Sequence, residues 1–249
     1  MKKLSIIVLV IALAASASLF AAGAEDSDTI VIASDATWPP MEYIDTNGDL
    51  VGFDIDMLNA MAEAGGLTIE IRNTAWDGIF AGLKNGAYDA VCSSVTITEE
   101  RQAEMDFTEP YINAGQILIV KQSMSGVSSL DDMSGMKVGV QNGTTGDFAL
   151  DDYPDVIRKA YDEVGFAVED LMNGQVDGVV CDSIVASDFV LANEAYSGKL
   201  KIVGEPFTDE FFGIAVQKGN SELLAKLNDS LAAIKASGKL DELINTWLR

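Results

Sequence analysis

A twelve-residue pattern occurs twice in this chain and constrains its fold more than any other feature. The first copy, LKNGAYDAVCSS, covers residues 83–94, and the second, LMNGQVDGVVCD, covers residues 171–182. Five of the twelve positions are identical at a constant offset of 88 residues. In each copy a helix-like stretch ends at a glycine and a short apolar run follows, which is typical of a strand buried on both faces of a parallel sheet. The repeat therefore predicts a helix that leads into a parallel strand, once in each of two domains.

The sequence around each copy extends this pattern to two α/β units. TIVIASD at residues 29–35 and MKVGVQNG at residues 136–143 predict the strands that open each unit. We expect an α/β fold of two Rossmann-like lobes joined by a two-strand hinge. The predicted bounds are residues 25–110 and 211–249 for lobe 1, 116–205 for lobe 2, and 111–115 and 206–210 for the hinge. Loops at the carboxyl ends of the strands would then line one cleft between the lobes.

The two ends of the chain carry separate predictions. Residues 1–24 predict a secretory signal peptide, because Lys2 and Lys3 precede an apolar run that ends in small residues at Ala24. A membrane anchor is the alternative, but the run is shorter than the roughly 20 residues that span a bilayer. We expect cleavage near Ala24 and a protein that is exported and freely soluble. At the other end, Ser221 is the expected N-cap of a helix that packs against lobe 1.

The composition excludes several functions. Without Lys2 and Lys3 the chain carries 14 basic and 39 acidic residues, so a nucleic acid would be repelled, although solubility alone also accounts for this acidity. There is no histidine, and Cys92 and Cys181 lack zinc-site spacing, which argues against histidine-based catalysis and a metal site. We expect two buried free thiols, with a single disulfide as the alternative. No phosphate-binding glycine motif is present, so neither a nucleotide nor another cofactor is expected.

Polar residues at two predicted loops suggest an anion-binding site. In SSVTITEER, residues 93–101, Thr98 is a candidate helix N-cap that places Arg101 one turn into the helix. Arginine binds a carboxylate through two parallel hydrogen bonds, although a surface ion pair is the ordinary alternative role. In QNGTTGD, residues 141–147, hydroxyl and backbone N–H groups precede a helix. This stretch predicts either an anion site or a simple tight turn.

Two carboxylates and two indoles complete the predicted site. Asp35 and Asp182 each follow a strand, where a helix cap or a cation partner is expected. Trp38 and Trp76 lie in cleft-facing loops, where ordinary packing is the alternative role. Together with Arg101 these groups complement an amino acid. We expect Arg101 and the turn at residues 144–146 to bind its carboxylate, Asp182 to bind its ammonium group, and the other three residues to surround its side chain.

The chain resembles the polar-amino-acid-binding proteins of bacterial ABC importers, which are type II periplasmic binding proteins. The segments that carry the likeness are SDATWPPMEY, TITEER, DFTEPY, VGVQNGTTG and NGQVDGVVCDS, in that order. The resemblance implies a periplasmic receptor, not an enzyme, whose two lobes close on a ligand. The receptor would be a monomer that delivers its ligand to a membrane permease.

The resemblance also implies roles for individual residues. Ser93, Ser94 and Thr96 would contact the backbone groups of the ligand. Thr144 and Thr145 would add donors from lobe 2. Gln141 stands at a position that varies between specificities, and Cys181 replaces a polar side chain of some relatives.

The predicted side-chain pocket favours a basic ligand. An acidic side chain would face Asp35 without a positive partner, whereas a cation between Trp38 and Trp76 gains roughly 0.5–2 kcal/mol of cation–π energy. We therefore predict arginine or lysine, with glutamine as the next candidate. Two other functions stay open: a dehydratase of cyclic carboxylates that uses a cleft acid, and a receptor that presents its ligand to a sensor protein.

Overall fold

The computed structural model describes residues 29–249, so the predicted signal peptide lies outside the described residues. The strands are β1 (Thr29–Ser34), β2 (Thr37–Trp38), β3 (Glu42–Ile44), β4 (Leu50–Val51), β5 (Thr68–Asn73), β6 (Ala90–Val91), β7 (Met105–Phe107), β8 (Ile112–Ala114), β9 (Gln116–Lys121), β10 (Lys137–Gln141), β11 (Ile157–Tyr161), β12 (Gly178–Asp182), β13 (Leu200–Val203), β14 (Glu210–Phe212) and β15 (Ala215–Gln217). The α-helices are α1 (Phe53–Gly65), α2 (Ile79–Lys84), α3 (Glu99–Glu104), α4 (Thr145–Ala149), α5 (Val164–Asn173), α6 (Ser183–Ser187), α7 (Ser221–Ala236) and α8 (Lys239–Trp247).

Two five-stranded sheets form the centres of the two lobes. The strand order is β5-β1-β6-β15-β7 in the first sheet and β11-β10-β12-β9-β13 in the second. The two-lobed α/β fold is confirmed, and the repeated strands β6 and β12 are parallel to β1 and β10 as predicted, but both sheets are mixed. One strand in each sheet, β15 in the first and β9 in the second, runs antiparallel to both of its neighbours. These strands follow directly from a crossing between the sheets, and an antiparallel strand needs no crossover helix.

The repeated pattern forms a helix, a glycine turn and a strand in both lobes. Helices α2 and α5 are followed by Gly86 and Gly174, each with a φ of 74°, which is the left-handed conformation expected of a helix stop. The strands that follow differ in length. The sequence predicted a strand through residues 88–94, but only Ala90 and Val91 pair as β6, whereas β12 extends over five residues.

The chain crosses between the sheets twice, and the two crossings lie side by side. Strand β8 pairs with β14 in an antiparallel sheet, with Ala114 opposite Glu210. These strands overlap the predicted hinge segments 111–115 and 206–210. The predicted lobe bounds remain predictions, and the strands of each sheet fall within them.

The C-terminal helices pack on lobe 1. Helix α1 contacts α7 and α8, and the indole Nε1 of Trp247 donates to Asp56 Oδ2 at 2.9 Å. The N-cap of α7 is Asn220 rather than Ser221, because the Asn220 side chain accepts the Leu223 N–H at 3.2 Å. Within residues 29–249, no helix has the length and apolarity to span a membrane. Cys92 and Cys181 are buried free thiols, as predicted.

Candidate functional site

A pocket lies between the two lobes. Its lining includes all eleven residues selected from the sequence, namely Asp35, Trp38, Trp76, Ser93, Ser94, Thr96, Arg101, Gln141, Thr144, Thr145 and Asp182. The twelfth residue is Glu42, which the sequence did not reveal. The structure thus brings the predicted residues together, and their contact with a ligand stays a prediction.

Arg101 is a buried cation at the wall of this pocket. The Thr98 hydroxyl accepts the Arg101 N–H at 3.1 Å, so Thr98 is the predicted N-cap of α3. The guanidinium donates to the Thr96 carbonyl at 2.9 Å and to the Gly143 carbonyl of lobe 2 at 3.5 Å. It also lies over the rings of Trp76 and Phe80, with 5.5 and 5.1 Å to the centroids. Arg101 is therefore not a surface residue.

The electrostatic surroundings leave Arg101 able to bind an anion. Burial, opposed by the charges of Glu210, Asp182 and Glu100, lowers the pKa of Arg101 to about 10, so the side chain stays charged at neutral pH. Among residues 29–249, no carboxylate forms an ion pair with it within 4.0 Å. A carboxylate that enters the pocket would supply the missing counter-charge.

Asp182 provides a buried carboxylate on the lobe 2 side. It stands at the N-cap position of α6 but makes no side-chain cap bond, so it does not serve as the helix cap that the sequence allowed. Its Oδ1 atom accepts from Gln116 Nε2 at 2.8 Å, and its Oδ2 atom accepts from the Trp38 indole at 3.0 Å. Burial, followed by the charge of Glu210, raises the pKa of Asp182 to about 7. A cation beside Asp182 would favour its ionised form.

Asp35 links the two lobes on another side of the pocket. Its Oδ2 atom accepts from Gln141 Nε2 of lobe 2 at 3.1 Å, and its backbone N–H donates to the Ser93 hydroxyl at 2.9 Å. Burial raises the pKa of Asp35, and the hydrogen bond from Gln141 opposes this shift. Asp35 and Gln141 are thus held against each other across the cleft.

Glu42 and Asp54 form a buried pair of carboxyl groups next to the pocket. The hydroxyls of Ser93 and Ser94 donate to Glu42 at 2.9 and 3.3 Å, and Asp54 accepts the Ser94 N–H and the Tyr111 hydroxyl, both at 2.9 Å. Burial, followed by the charge of Asp54, raises the pKa of Glu42 well above its ordinary range. Burial raises the pKa of Asp54 to about 6. Because the charge of Asp54 opposes ionisation of Glu42, the two buried carboxyl groups do not readily carry a negative charge at the same time.

Two lobe 2 hydroxyls donate within the protein. Thr144 is the N-cap of α4, and its hydroxyl donates to the Gln141 carbonyl at 2.8 Å. The Thr145 hydroxyl donates to Glu210 Oε2 at 2.7 Å. Since each hydroxyl has one proton, both protons are engaged in this arrangement, and the predicted role of Thr144 and Thr145 as donors to a ligand stays a prediction. The sequence missed Gln116 and Glu210, which take part in this network.

Comparisons with known proteins agree with this site. The family described as bacterial extracellular solute-binding proteins, family 3, matches residues 30–249. This chain belongs to that family. A protein of Neisseria gonorrhoeae named as a probable histidine-binding protein is 40% identical over 218 residues, which cover 85% of this chain and 80% of the relative. The ABC transporter arginine-binding protein 1 of Escherichia coli is 36% identical over 241 residues, covering 94% of this chain and 97% of the relative.

A solved structure supports the same assignment. The solved structure of an ancestral arginine-binding protein bound to arginine matches with a TM-score of 0.84 and 41% identity, covering 89% of this chain and 99% of that chain. The chain is therefore an amino-acid-binding receptor of the ABC-importer type, and these relatives are named as binding proteins rather than enzymes. Within the described part of the chain, no His, Cys, Asp and Glu side chains cluster as metal ligands.

Proposed function

We propose that this protein is a periplasmic monomer that binds a basic L-amino acid, arginine or lysine, and delivers it to the membrane permease of an ABC importer. Glutamine is the next candidate. The observation that carries the proposal is the charge imbalance of the pocket. One cation, Arg101, faces a site whose lining includes three acidic residues, Asp35, Glu42 and Asp182.

The two ends of an amino acid account for only part of this imbalance. Its α-carboxylate complements Arg101 and its α-ammonium group complements Asp182, so these two protein charges are neutralised. Asp35 and the buried Glu42–Asp54 pair of carboxyl groups then remain. A guanidinium or ammonium side chain complements this remainder, whereas an acidic side chain would add a desolvated like charge at a cost of several kcal/mol.

Contacts between the lobes support binding by closure. Hydrogen bonds join Trp38 to Asp182, Gln141 to Asp35 and Arg101 to Gly143, each from one lobe to the other. Each pair includes a side chain that lines the pocket. A ligand that contacts both lobes would therefore favour the closed arrangement by its differential affinity for that state.

Thermal unfolding with each of the twenty amino acids tests this proposal. A ligand at 100 times its dissociation constant adds about 2.7 kcal/mol to the free energy of unfolding, so arginine or lysine should give the largest increase in Tm. Calorimetric titration should then show that Asp35→Asn weakens arginine binding more than glutamine binding. The exposed Asp49→Asn variant is the control. A largest increase with aspartate or glutamate, or no increase with any amino acid, would contradict the proposal.

A further inference from the structure

Glu210 is a buried carboxylate at the start of β14, on the second segment that crosses between the lobes. Its Oε2 atom accepts from the Thr96 hydroxyl of lobe 1 at 2.8 Å and from the Thr145 hydroxyl of lobe 2 at 2.7 Å. Gln116 Nε2 lies 3.4 Å from the same oxygen. The Oε1 atom accepts from Thr208 at 2.7 Å. One side chain on the crossing segment thus joins residues of both lobes.

These contacts determine whether the hydroxyls of Thr96 and Thr145 donate or accept hydrogen bonds in the pocket. A threonine hydroxyl has one proton and two lone pairs, whereas a carboxylate only accepts. The protons of Thr96 and Thr145 therefore point to Glu210, even though the two hydroxyl oxygens lie 3.3 Å apart. Both threonines line the pocket. The Thr145 oxygen also accepts from Gln116 Nε2 at 3.2 Å, which leaves it one further lone pair. With their protons committed to Glu210, the two hydroxyl oxygens can only accept hydrogen bonds from a ligand.

The three acceptors match the ammonium end of an amino acid. Gln116 Nε2 donates to Asp182 at 2.8 Å and also approaches Glu210, so the two carboxylates are held on either side of one amide. An ammonium group has three donors. The Asp182 carboxylate and the hydroxyl oxygens of Thr96 and Thr145 supply three acceptors in the same part of the pocket.

We propose that Glu210 is a positioning residue that takes the hydroxyl protons of Thr96 and Thr145 and so presents both oxygens to the α-ammonium group of the ligand. This inference rests on the proposed function. Because Thr96 and Thr145 belong to different lobes, Glu210 can hold both only when the lobes are closed. Glu210 thereby couples closure to recognition of the ammonium group.

Calorimetric titration of L-arginine into four full-length proteins tests this role. The proteins are the parent, Glu210→Gln, Glu210→Asp, and Glu205→Gln as a control that removes an exposed charge from the same segment. Hydrogen bonds to a charged group contribute enough that Glu210→Gln should weaken binding about tenfold to a hundredfold. Glu210→Asp keeps the charge but shortens the side chain, so it should reduce arginine affinity by a similar factor. Glu205→Gln should stay within about twofold of the parent.

A ligand without the ammonium group separates positioning from a general structural effect. For 5-guanidinopentanoate, which lacks the α-ammonium group of arginine, Glu210→Gln should change affinity by less than about threefold. The double variant Thr145→Val, Glu210→Gln should lose less arginine affinity than the product of the two single fold-losses, because both substitutions remove the same interaction. Equal losses for the two ligands, or independent effects in the double variant, would overturn the inference.

The outcomes also distinguish this inference from the proposed function. If the parent protein binds no amino acid, the proposed function fails. If the parent binds arginine and both Glu210 variants bind it equally well, only the role of Glu210 fails. Should Glu210→Gln not fold, Glu210→Asp provides the comparison, and parent-like arginine affinity in that variant would overturn the inference.

Discussion

The two copies of the repeat fold alike but end in different chemistry. In lobe 1 the copy ends at Ser93 and Ser94, whose hydroxyls donate to the buried Glu42. In lobe 2 the equivalent positions are Cys181 and Asp182, and Asp182 accepts hydrogen bonds from Trp38 and Gln116. Both ends line the same pocket through Ser93, Ser94 and Asp182.

The difference shows how one structural unit serves two purposes. Ser94 has a φ of 48°, in the left-handed region that few non-glycine residues adopt, and its N–H donates to Asp54. The lobe 1 copy therefore satisfies buried carboxyl groups of the protein itself. The lobe 2 copy ends in a carboxylate with no cationic partner within 4.0 Å in the described part of the chain. We infer that the first copy organises the pocket and the second provides its main charge for the ligand.

The largest expected effect is an unusual dependence of stability on pH. In the closed arrangement of the lobes, burial raises the pKa of Asp182 to about 7 and that of Asp54 to about 6, against an ordinary value of 3.8. Between pH 5 and pH 8 the folded state then binds more protons than the unfolded state, so the free energy of unfolding falls as pH rises. The free energy of unfolding should decrease by about 4 kcal/mol over this range. Urea unfolding at a series of pH values measures this decrease.

Arginine should reduce this dependence. A bound ammonium group favours ionised Asp182, so the contribution of Asp182 to the pH slope should largely disappear when the ligand is saturating. Asp182→Asn in the ligand-free protein should remove the same contribution and leave that of Asp54. Stability that rises steadily from pH 5 to pH 8 would contradict both assignments.

Removal of the lobe 2 charge should have the next largest effect. Asp182→Asn should weaken arginine binding at pH 8 by about 3 kcal/mol, or about a hundredfold, because the ammonium group loses its counter-ion. Ser94→Ala, at the equivalent lobe 1 position, should cost less than about tenfold. Calorimetric titration measures both, and equal losses would mean that the two copies do not differ in role.

Substitutions at Ser93 and Cys181, one position before Ser94 and Asp182, should differ in their effect on the stability of the fold rather than on ligand binding. Ser93→Ala removes the donor to Glu42 and the acceptor of the Asp35 N–H, so it should destabilise the fold by about 2 kcal/mol. Cys181→Ala removes only a small buried side chain and should cost about 1 kcal/mol. Urea unfolding at one pH compares them. A larger cost for Cys181→Ala would contradict the organising role of the lobe 1 copy.

The helix-stop glycines should show the smallest effect and no difference between the copies. Gly86→Ala and Gly174→Ala each place a side chain at a φ of 74°, which should cost about 1 kcal/mol of unfolding free energy. Gly165→Ala, in the first turn of α5 where an added Cβ meets no atom within 4 Å, is the control and should stabilise by about 0.5 kcal/mol. Unequal costs at Gly86 and Gly174 would show that the copies differ in backbone strain as well.

The sequence was sufficient for the architecture but not for strand direction. The glycine stops and apolar runs predicted helices α2 and α5 and the strands β1, β6, β10 and β12, because these depend on local pattern. The direction of β9 and β15 depends on where the chain crosses between the lobes, and a short apolar run looks the same in either direction. The short β6 reflects the turn at Ser94, whose positive φ has no clear sequence signal.

The sequence also identified the loop residues of the pocket better than its buried acids. Arg101 and Asp182 stand in recognisable contexts, after a cap and after a strand. Glu42 lines the pocket, and Glu210 accepts a hydrogen bond from the lining residue Thr96, which is 114 residues away in the sequence. Only the fold shows these two relationships. The sequence feature that could have drawn attention to Glu42 is its carboxyl group between Met41 and Tyr43, a few residues after Trp38.

The hydrogen bond from Trp38 to Asp182 gives this protein a built-in optical reporter. The indole is 7% exposed and its bond spans the two lobes, so separation of the lobes would bring water to the ring and shift its emission to longer wavelength. Trp247 donates to Asp56 within one lobe and should give a constant background. Stopped-flow fluorescence could therefore follow each closure event without an attached dye.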